Sequence, residues 1–320
     1  MKVLVTGASG FIGGRLVRRL LASPDSLGTA VDSLILLDNR PDPFLERSSG
    51  GAVQLRSVVG SVADAAVLKR AVDPDVAIVF HLASVPGGAT EANVDLGREV
   101  NVDGTRMLLD HLRQCAQPPI VVFASTIGVF GVPLPEVVDE ETYPAPTLSY
   151  GAHKWIGEIL VGDYSRRGWI DGRALRLPGI VARPPGPSGQ LSAFLSDIIR
   201  ELAAGREFVC PVAPEGTSWW MSVTRCIDNL LHAARMPVER GTVRRTWMLP
   251  VLHASLGELV EAIARLYGPQ VRQRVRYAPN SQLQAQFASY PPLHVPRARA
   301  AGFRDDGSLE DLVRNALHEA

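Results

Sequence analysis

Met1-Lys2-Val3-Leu4-Val5-Thr6-Gly7-Ala8-Ser9-Gly10-Phe11-Ile12-Gly13 opens the chain and decides its architecture. A short apolar run reads as a buried strand, three glycines follow as a tight turn, and Leu16, Val17, Leu20 and Leu21 then recur at helical spacing. Strand, glycine turn and helix in this order form the phosphate-binding unit of a dinucleotide fold. Gly7 permits the turn, Gly10 lets the backbone approach a pyrophosphate, and Gly13 allows close packing of the helix. Phe11 and Ile12 belong to the same cradle, and the helix N-terminus offers unpaired N–H groups to phosphate.

Working outward, Ser33-Leu34-Ile35-Leu36-Leu37-Asp38 is the second apolar run, and its carboxylate stands 25 residues beyond Gly13. That is near the roughly 20 expected for the acid that holds an adenosine ribose. A carboxylate accepts hydrogen bonds from both ribose hydroxyls and repels a 2′-phosphate, so Asp38 favours NAD, while Arg40 lies close enough to leave NADP open. Taken alone, Asp38 also suits a turn at a strand end.

Further strands are predicted over Val53 to Val59, Val76 to Leu82, Ile120 to Ala124 and Arg173 to Leu177, alternating with helical patterns. Long helices are expected over Asn93 to Ala116 and Leu148 to Arg167, with Gly157 inside the second either a close-packing point or a tolerated weak one. The expected class is α/β: a doubly wound parallel sheet of Rossmann type with a smaller C-terminal α/β lobe. Pro178-Gly179 and the run Arg183-Pro184-Pro185-Gly186-Pro187-Ser188-Gly189 mark a boundary. Residues 1–178 are read as the dinucleotide domain. Residues 179–320 are read mainly as a substrate lobe, with helices near Ser192 to Ala204, Val223 to Arg235, Ser255 to Leu266 and Ser308 to Leu317, and some segments returning to the sheet.

Ser149-Tyr150-Gly151-Ala152-His153-Lys154 sits at the start of the second long helix. Tyr150 and Lys154, four apart, share one helix face. An ammonium beside a phenol favours the phenolate, so a side chain with a free pKa of about 10 can remove a hydroxyl proton nearer neutral pH. Alone, Tyr-x-x-x-Lys is a short pattern that packing and solvation also explain; the glycine turn gives it weight.

Composition fits an ordinary enzyme: 320 residues, 46% hydrophobic, 21% charged, with 33 basic against 33 acidic side chains. A balanced charge leaves no electrostatic footprint for nucleic acid or an anionic membrane, and neither is expected as a partner. Cys115, Cys210 and Cys226 are too widely spaced for a metal site and odd in number, so no metal and no disulfide framework is expected. The chain enters a strand at once, no apolar run approaches the roughly 20 residues of a membrane span, and the expected location is the cytoplasm.

Together these motifs resemble the extended short-chain dehydrogenase/reductase family, which includes nucleotide-sugar epimerases and dehydratases. The resemblance spans nearly the whole chain. It rests on Thr6 to Gly13, His81-Leu82-Ala83-Ser84, Asn101-Val102-Asp103-Gly104-Thr105, Ser125-Thr126-Ile127-Gly128-Val129-Phe130-Gly131 and Tyr150 to Lys154. It implies Tyr150 as acid/base, Lys154 on the nicotinamide ribose, and Thr126 on the reacting oxygen. Ser125 is implied as an auxiliary cofactor or substrate contact. Leu82, Ala83 and Asn101 are implied along the dinucleotide groove, and Pro178 beside the nicotinamide amide. Two departures stand out. Ser61, followed by Val62, replaces an aspartate that many relatives use for the adenine amino group, and Phe130 replaces a tyrosine.

Within the family the chain is most similar to members that oxidise the 2-hydroxyl of a four-carbon sugar acid with NAD. Asp95-Leu96-Gly97, Phe130 to Pro135, Asp163 to Gly168, Asp171 to Pro178 and Asp228 to Ala233 carry that likeness. An acid substrate needs a cation in the cleft, preferably an arginine gripping the carboxylate through two hydrogen bonds. Arg225 is placed first and Arg183 second, with Ser84, Asn93 and Ser192 as candidate hydroxyl contacts. His81 is read as structural and His153 as exposed or at an interface. A homodimer through the two long helices is expected. A nucleotide-sugar 4-epimerase and a non-catalytic dinucleotide-binding sensor or scaffold are the alternatives.

Overall fold

The computed structural model describes residues 1–41, 53–185, 191–239, 241–242 and 244–318. Strands β1 (Lys2–Thr6), β2 (Ser33–Asp38), β3 (Gln54–Val59), β4 (Val76–His81) and β5 (Ile120–Thr126) are followed by the short β6 (Val138–Asp139) and then by β7 (Asp171–Leu177). β8 (Gly179–Val181), β9 (Phe208–Cys210), β10 (Thr217–Ser222), β11 (Thr246–Met248), β12 (Leu252–Ser255), β13 (Val275–Tyr277) and β14 (Leu293–His294) complete the set. The main sheet has seven strands in the order β11-β7-β5-β4-β1-β2-β3, every neighbouring pair parallel. Chain order reverses between β1 and β4, and at such a switch point the strand ends splay apart and leave a crevice.

Parallel strands are covered on both faces, which is why they read as unbroken apolar runs. Val3, Leu4 and Val5 of β1 are wholly buried, and so are Leu34 and Ile35 of β2. Neighbouring residues serve opposite faces: Val3 and Val5 join one core with Leu16 and Leu20, while Leu4 joins the other with Leu108 and Phe123. Each such aliphatic side chain contributes about 1.5–3 kcal/mol on full burial.

The segment after residue 178 does not separate cleanly from this sheet. β11 adds to its edge against β7, and the helix Val223–Arg235 packs on the helix Phe11–Ala22. β8, β10 and β12 form a second sheet in the order β12-β10-β8. β10 is its hinge in packing terms. Trp219 and Met221 face the first core, and Trp220 between them faces a second core with Ile198, Leu259 and Leu312. Period-two alternation thus lets one strand belong to two cores.

Two helices frame the crevice. The first runs as Val94–Arg98, a π-helical turn over Glu99–Gly104, and Thr105–Leu112, so the helix expected over Asn93 to Ala116 ends four residues early and carries a bulge. The second is Ser149–Arg166. A Cβ on Gly157 would stand 2.5 Å from the Phe123 ring, so this glycine is the close-packing point between helix and β5. Among the described residues, no helix is long and apolar enough to cross a membrane. The Gly186 to Gly189 part of the proline-rich loop lies outside the described residues.

Candidate active site

Thr6, Asp38, His81, Thr126 and Leu177 all end strands at the same edge of the sheet, as the register pairs Thr6↔His81 and Thr126↔Leu177 require. Over β1, the glycine turn is set by contact with its surroundings. Gly7 has φ 72°, and a Cβ there would stand 2.7 Å from the Ala83 nitrogen. A Cβ on Gly13 would stand 2.0 Å from the Gly7 carbonyl oxygen. Gly10 caps the helix Phe11–Ala22 with no side-chain hydrogen bond, and no acid occupies the first turn. Its first N–H groups therefore face the turn without a competing carboxylate, the arrangement that suits a pyrophosphate. Asp38 accepts the Ser9 N–H at 3.0 Å and the Arg40 N–H at 3.1 Å, tying β2 to the turn with acceptor capacity left on both oxygens.

A second group of polar residues is engaged with the scaffold. The Thr105 hydroxyl donates to the Asn101 carbonyl at 2.8 Å, so it accepts from Nε2–H of His81 at 2.9 Å. His81 Nδ1 is then unprotonated and accepts from the Thr6 hydroxyl at 2.7 Å, which in turn accepts the Ala83 N–H at 3.2 Å. This relay fixes a neutral imidazole. Burial and the charge of Lys154 hold its pKa down to about 3. His81 is structural, as expected.

Asn101, expected at the cofactor, instead devotes its amide to Val85. Its Oδ1 accepts the Val85 N–H at 2.8 Å and its Nδ2 donates to the Val85 carbonyl at 3.0 Å. It shapes the loop after β4 and offers the groove no unengaged donor. Asn93 is likewise corrected: it is exposed and caps its helix by accepting the Leu96 N–H. Ser125, 2% exposed, donates its hydroxyl to Glu158 at 2.5 Å. Ser61 accepts the Ala63 N–H at 3.1 Å, and Val62 is buried where Gly104 approaches it. Leu82 donates its N–H to Thr6. His153, expected exposed or at an interface, is buried within the chain with Nδ1 unpartnered, because its face of the helix packs on the helical segment over 94–104.

A third group is unengaged. Lys154 is only 2% exposed, its Nζ 4.8 Å from the Phe123 ring centroid and 5.9 Å from that of Tyr150. Among the described residues it makes no ion pair, and burial lowers its pKa to about 7. Burial pushes the Tyr150 phenol up from its ordinary value, while the Ser84 hydroxyl and the Arg183 charge pull it down. Lys154 is thus one cation beside the Tyr150 ring, and Arg183 is a second whose charge reaches the phenol. Thr126 accepts the Gly128 N–H at 3.0 Å and keeps its own O–H to donate.

The two arginines exchange rank. Arg183 follows β8 and lies 5.0 Å above the Phe11 ring, its backbone N–H held by Ser196. Its guanidinium has no carboxylate partner among the described residues and is partly desolvated. Arg225 lies on the helix Val223–Arg235, 3.6 Å from Asp228, which also takes Arg19. It belongs to a helix–helix contact. Ser192 lies in the turn before the helix Phe194–Ala203, whose Ser196 holds Arg183. Pro178 separates β7 from β8 at the mouth of the crevice.

Sequence reasoning missed Glu158 and Arg176. Glu158 lies eight residues after Tyr150 on the same helix face, and Arg176 is a charge inside the apolar run Ala174-Leu175-Arg176-Leu177. Both were findable signals, since a buried charge requires a partner.

A dinucleotide fits these residues on three counts: a glycine turn that a Cβ would fill, a helix N-terminus without a competing acid, and a buried ammonium with no partner. Comparison with known proteins agrees. The chain is 39% identical over 325 residues to D-erythronate dehydrogenase of Cupriavidus necator, covering 100% of this chain and 99% of that one. It is 30% identical over 324 residues to D-erythronate dehydrogenase of Haemophilus influenzae, covering 99% of each. The crystal structure of the nucleoside-diphosphate-sugar epimerase from Agrobacterium tumefaciens superposes with a TM-score of 0.89 at 33% identity, over 98% of this chain and 92% of that one. Residues 3–244 match the model of the NAD dependent epimerase/dehydratase family, and the chain belongs to that family.

Proposed function

We propose that the chain oxidises the 2-hydroxyl of a small sugar acid, D-erythronate first among them, to the 2-oxo acid. The observation that supports this reading is Arg183, whose guanidinium lies 5.0 Å above the Phe11 ring at the start of the glycine-turn helix with no carboxylate partner among the described residues. A substrate carboxylate would complete it through paired charge-assisted hydrogen bonds and bring the neighbouring hydroxyl to the phenol. The names of the two relatives of highest quoted identity support the same acid.

NAD, when bound, supplies the two-electron acceptor. Gly7, Gly10, Phe11, Ile12 and Gly13 would hold its pyrophosphate, Asp38 the adenosine ribose, Ser61 and Val62 the adenine edge, Leu82 and Ala83 the groove, and Pro178 the nicotinamide side. Lys154 would meet ribose hydroxyls, which give its ammonium the acceptors it lacks. Tyr150 takes the substrate's hydroxyl proton as the carbonyl forms, and Thr126 donates to that oxygen and fixes it. Ser84 is the further hydroxyl in reach of the phenol, and Ser192 is carried forward as a contact from the lobe after residue 178. That lobe is read as mainly substrate-binding.

A second copy is the proposed partner, covering the two long helices where Val94, Leu96, Leu148, Ile156 and Ile159 stand exposed. Sedimentation at the mass of two chains tests this. Three unpaired thiols accord with a cytoplasmic location.

The test of function is NADH formation from NAD across D-erythronate, D-threonate, L-threonate and longer aldonic acids, with UDP-sugars alongside. Selective turnover of D-erythronate is the expected result. Silence with every acid and conversion of a UDP-sugar would replace the reading with the epimerase one, which the name of the Agrobacterium relative favours.

A further inference from the structure

Tyr150, Lys154 and Glu158 follow one another at four-residue steps, so the helix that presents the phenol and ammonium also carries a carboxylate inward one turn later. Glu158 is buried. Its Oε1 accepts the Ser125 hydroxyl at 2.5 Å and Nε of Arg176 at 2.9 Å, and its Oε2 accepts Nη2 of Arg176 at 2.8 Å. Ser125 immediately precedes Thr126 at the end of β5. Arg176 is the penultimate residue of β7, two before Pro178. One carboxylate therefore fastens three segments to one another beside the residue each contributes to the reaction.

We propose that Glu158 and Arg176 are positioning residues: their bidentate pair, with the Ser125 hydroxyl, sets the distance between Thr126, the Tyr150–Lys154 helix and the Pro178 segment. The inference rests on the reading of Tyr150 and Thr126 as the groups that meet the reacting oxygen. The pair is suited to this role because a guanidinium and a carboxylate fix angle as well as distance, which a single hydrogen bond or an apolar contact does not. Misplacement of reacting groups by about 1 Å can cost about 10²-fold in rate. Arg176 further lies over the Phe130 ring, its guanidinium carbon 4.9 Å from the centroid. Phe130, the departure from a commoner tyrosine, thus serves as the floor of the pair.

The other side of the pair opens on a cavity of about 600 Å³ that Glu158 and Arg176 line with Trp155, Ile159 and Met248. That opening gives a direct test. In Glu158→Ala, formate or acetate added to the assay can enter from the cavity and replace the missing carboxylate against Arg176. The expected result is a kcat reduced by about 10–10²-fold, with KM for NAD within about threefold, and recovery of at least about fivefold on adding formate, while wild type gains nothing. Arg176→Ala should be equally impaired and answer to guanidinium but not formate. Should Glu158→Ala fail to fold, Glu158→Gln keeps the shape while setting an NH2 against the Arg176 donors, and its kcat should fall at unchanged KM. A folded variant with wild-type kcat, or one impaired and indifferent to formate, overturns the proposal. Each variant is compared with wild type on whichever substrate wild type turns over, so an inactive sugar acid counts against the functional reading and leaves this comparison to be made on the other substrate.

Discussion

Two polar clusters lie within the same crevice and behave oppositely. Around His81 and Glu158 every polar group named is engaged: the imidazole between Thr6 and Thr105, the Asn101 amide on Val85, the Ser125 hydroxyl and Arg176 on Glu158. Around Tyr150 the cations have no acid partner among the described residues: Lys154 lies against the Phe123 and Tyr150 ring faces and Arg183 over Phe11. Burial of an unpaired charge costs several kcal/mol and is tolerated where a ligand completes it. In this crevice the engaged polar groups build the scaffold, and the two cations without an acid partner among the described residues stand beside the candidate site. Charge and family position alone did not make this distinction, since Asn101 and Ser125 carry the right chemistry and are engaged with the scaffold.

The largest effect belongs to the unengaged cluster. Tyr150→Phe removes the proton acceptor and should lower kcat by about 10²–10⁴-fold with NAD affinity little changed, measured by steady-state kinetics and by titration of NADH fluorescence. Near-wild-type turnover would move Tyr150 to the scaffold side of the comparison.

Next comes the pH profile. Oxidation needs the phenolate, and burial raises the Tyr150 pKa, so the rate should climb about tenfold per pH unit below the limb. Burial holds Lys154 to about 7, below the raised phenol, so its titration precedes the Tyr150 limb. Oxidation should be faster near pH 9 than near pH 6. A flat profile would break the assignment.

The engaged cluster shows instead in stability. Burial holds the folded His81 pKa to about 3 against an ordinary 6.5, so between these values the unfolded chain binds more protons. Its contribution is complete above about pH 6.5 and is lost at about 1.4 kcal/mol per pH unit as pH falls toward about 3. Urea midpoints measured against pH should fall along that slope, and His81→Gln should flatten it. An equal slope in both proteins would remove His81 as its source.

Much of the fold was legible because parallel strands and glycine turns leave local signatures. The runs from Lys2 to Thr6 and Ser33 to Asp38 became the strands they suggested, and Asp38 came to rest beside the turn. The helix expected to Ala116 was overrun because Cys115 and Ala116 are apolar yet serve as a turn, with the Ala116 N–H held by the Pro74 carbonyl. Candidate residues on local motifs, Tyr150, Lys154 and Thr126, could be proposed from the chain alone. Those fixed by long-range pairing could not. Nothing near Ser125 reveals Glu158, 33 residues away, and nothing near Asp228, the local partner of Arg225, reveals Arg19 on another helix.

The central claim, that an unengaged arginine beside Tyr150 recognises a carboxylate, is tested most directly by replacing the two arginines in turn. kcat/KM for D-erythronate should fall by about 10²-fold or more in Arg183→Met and stay within about threefold of wild type in Arg225→Met. The reverse order, or equal effects, would contradict the account.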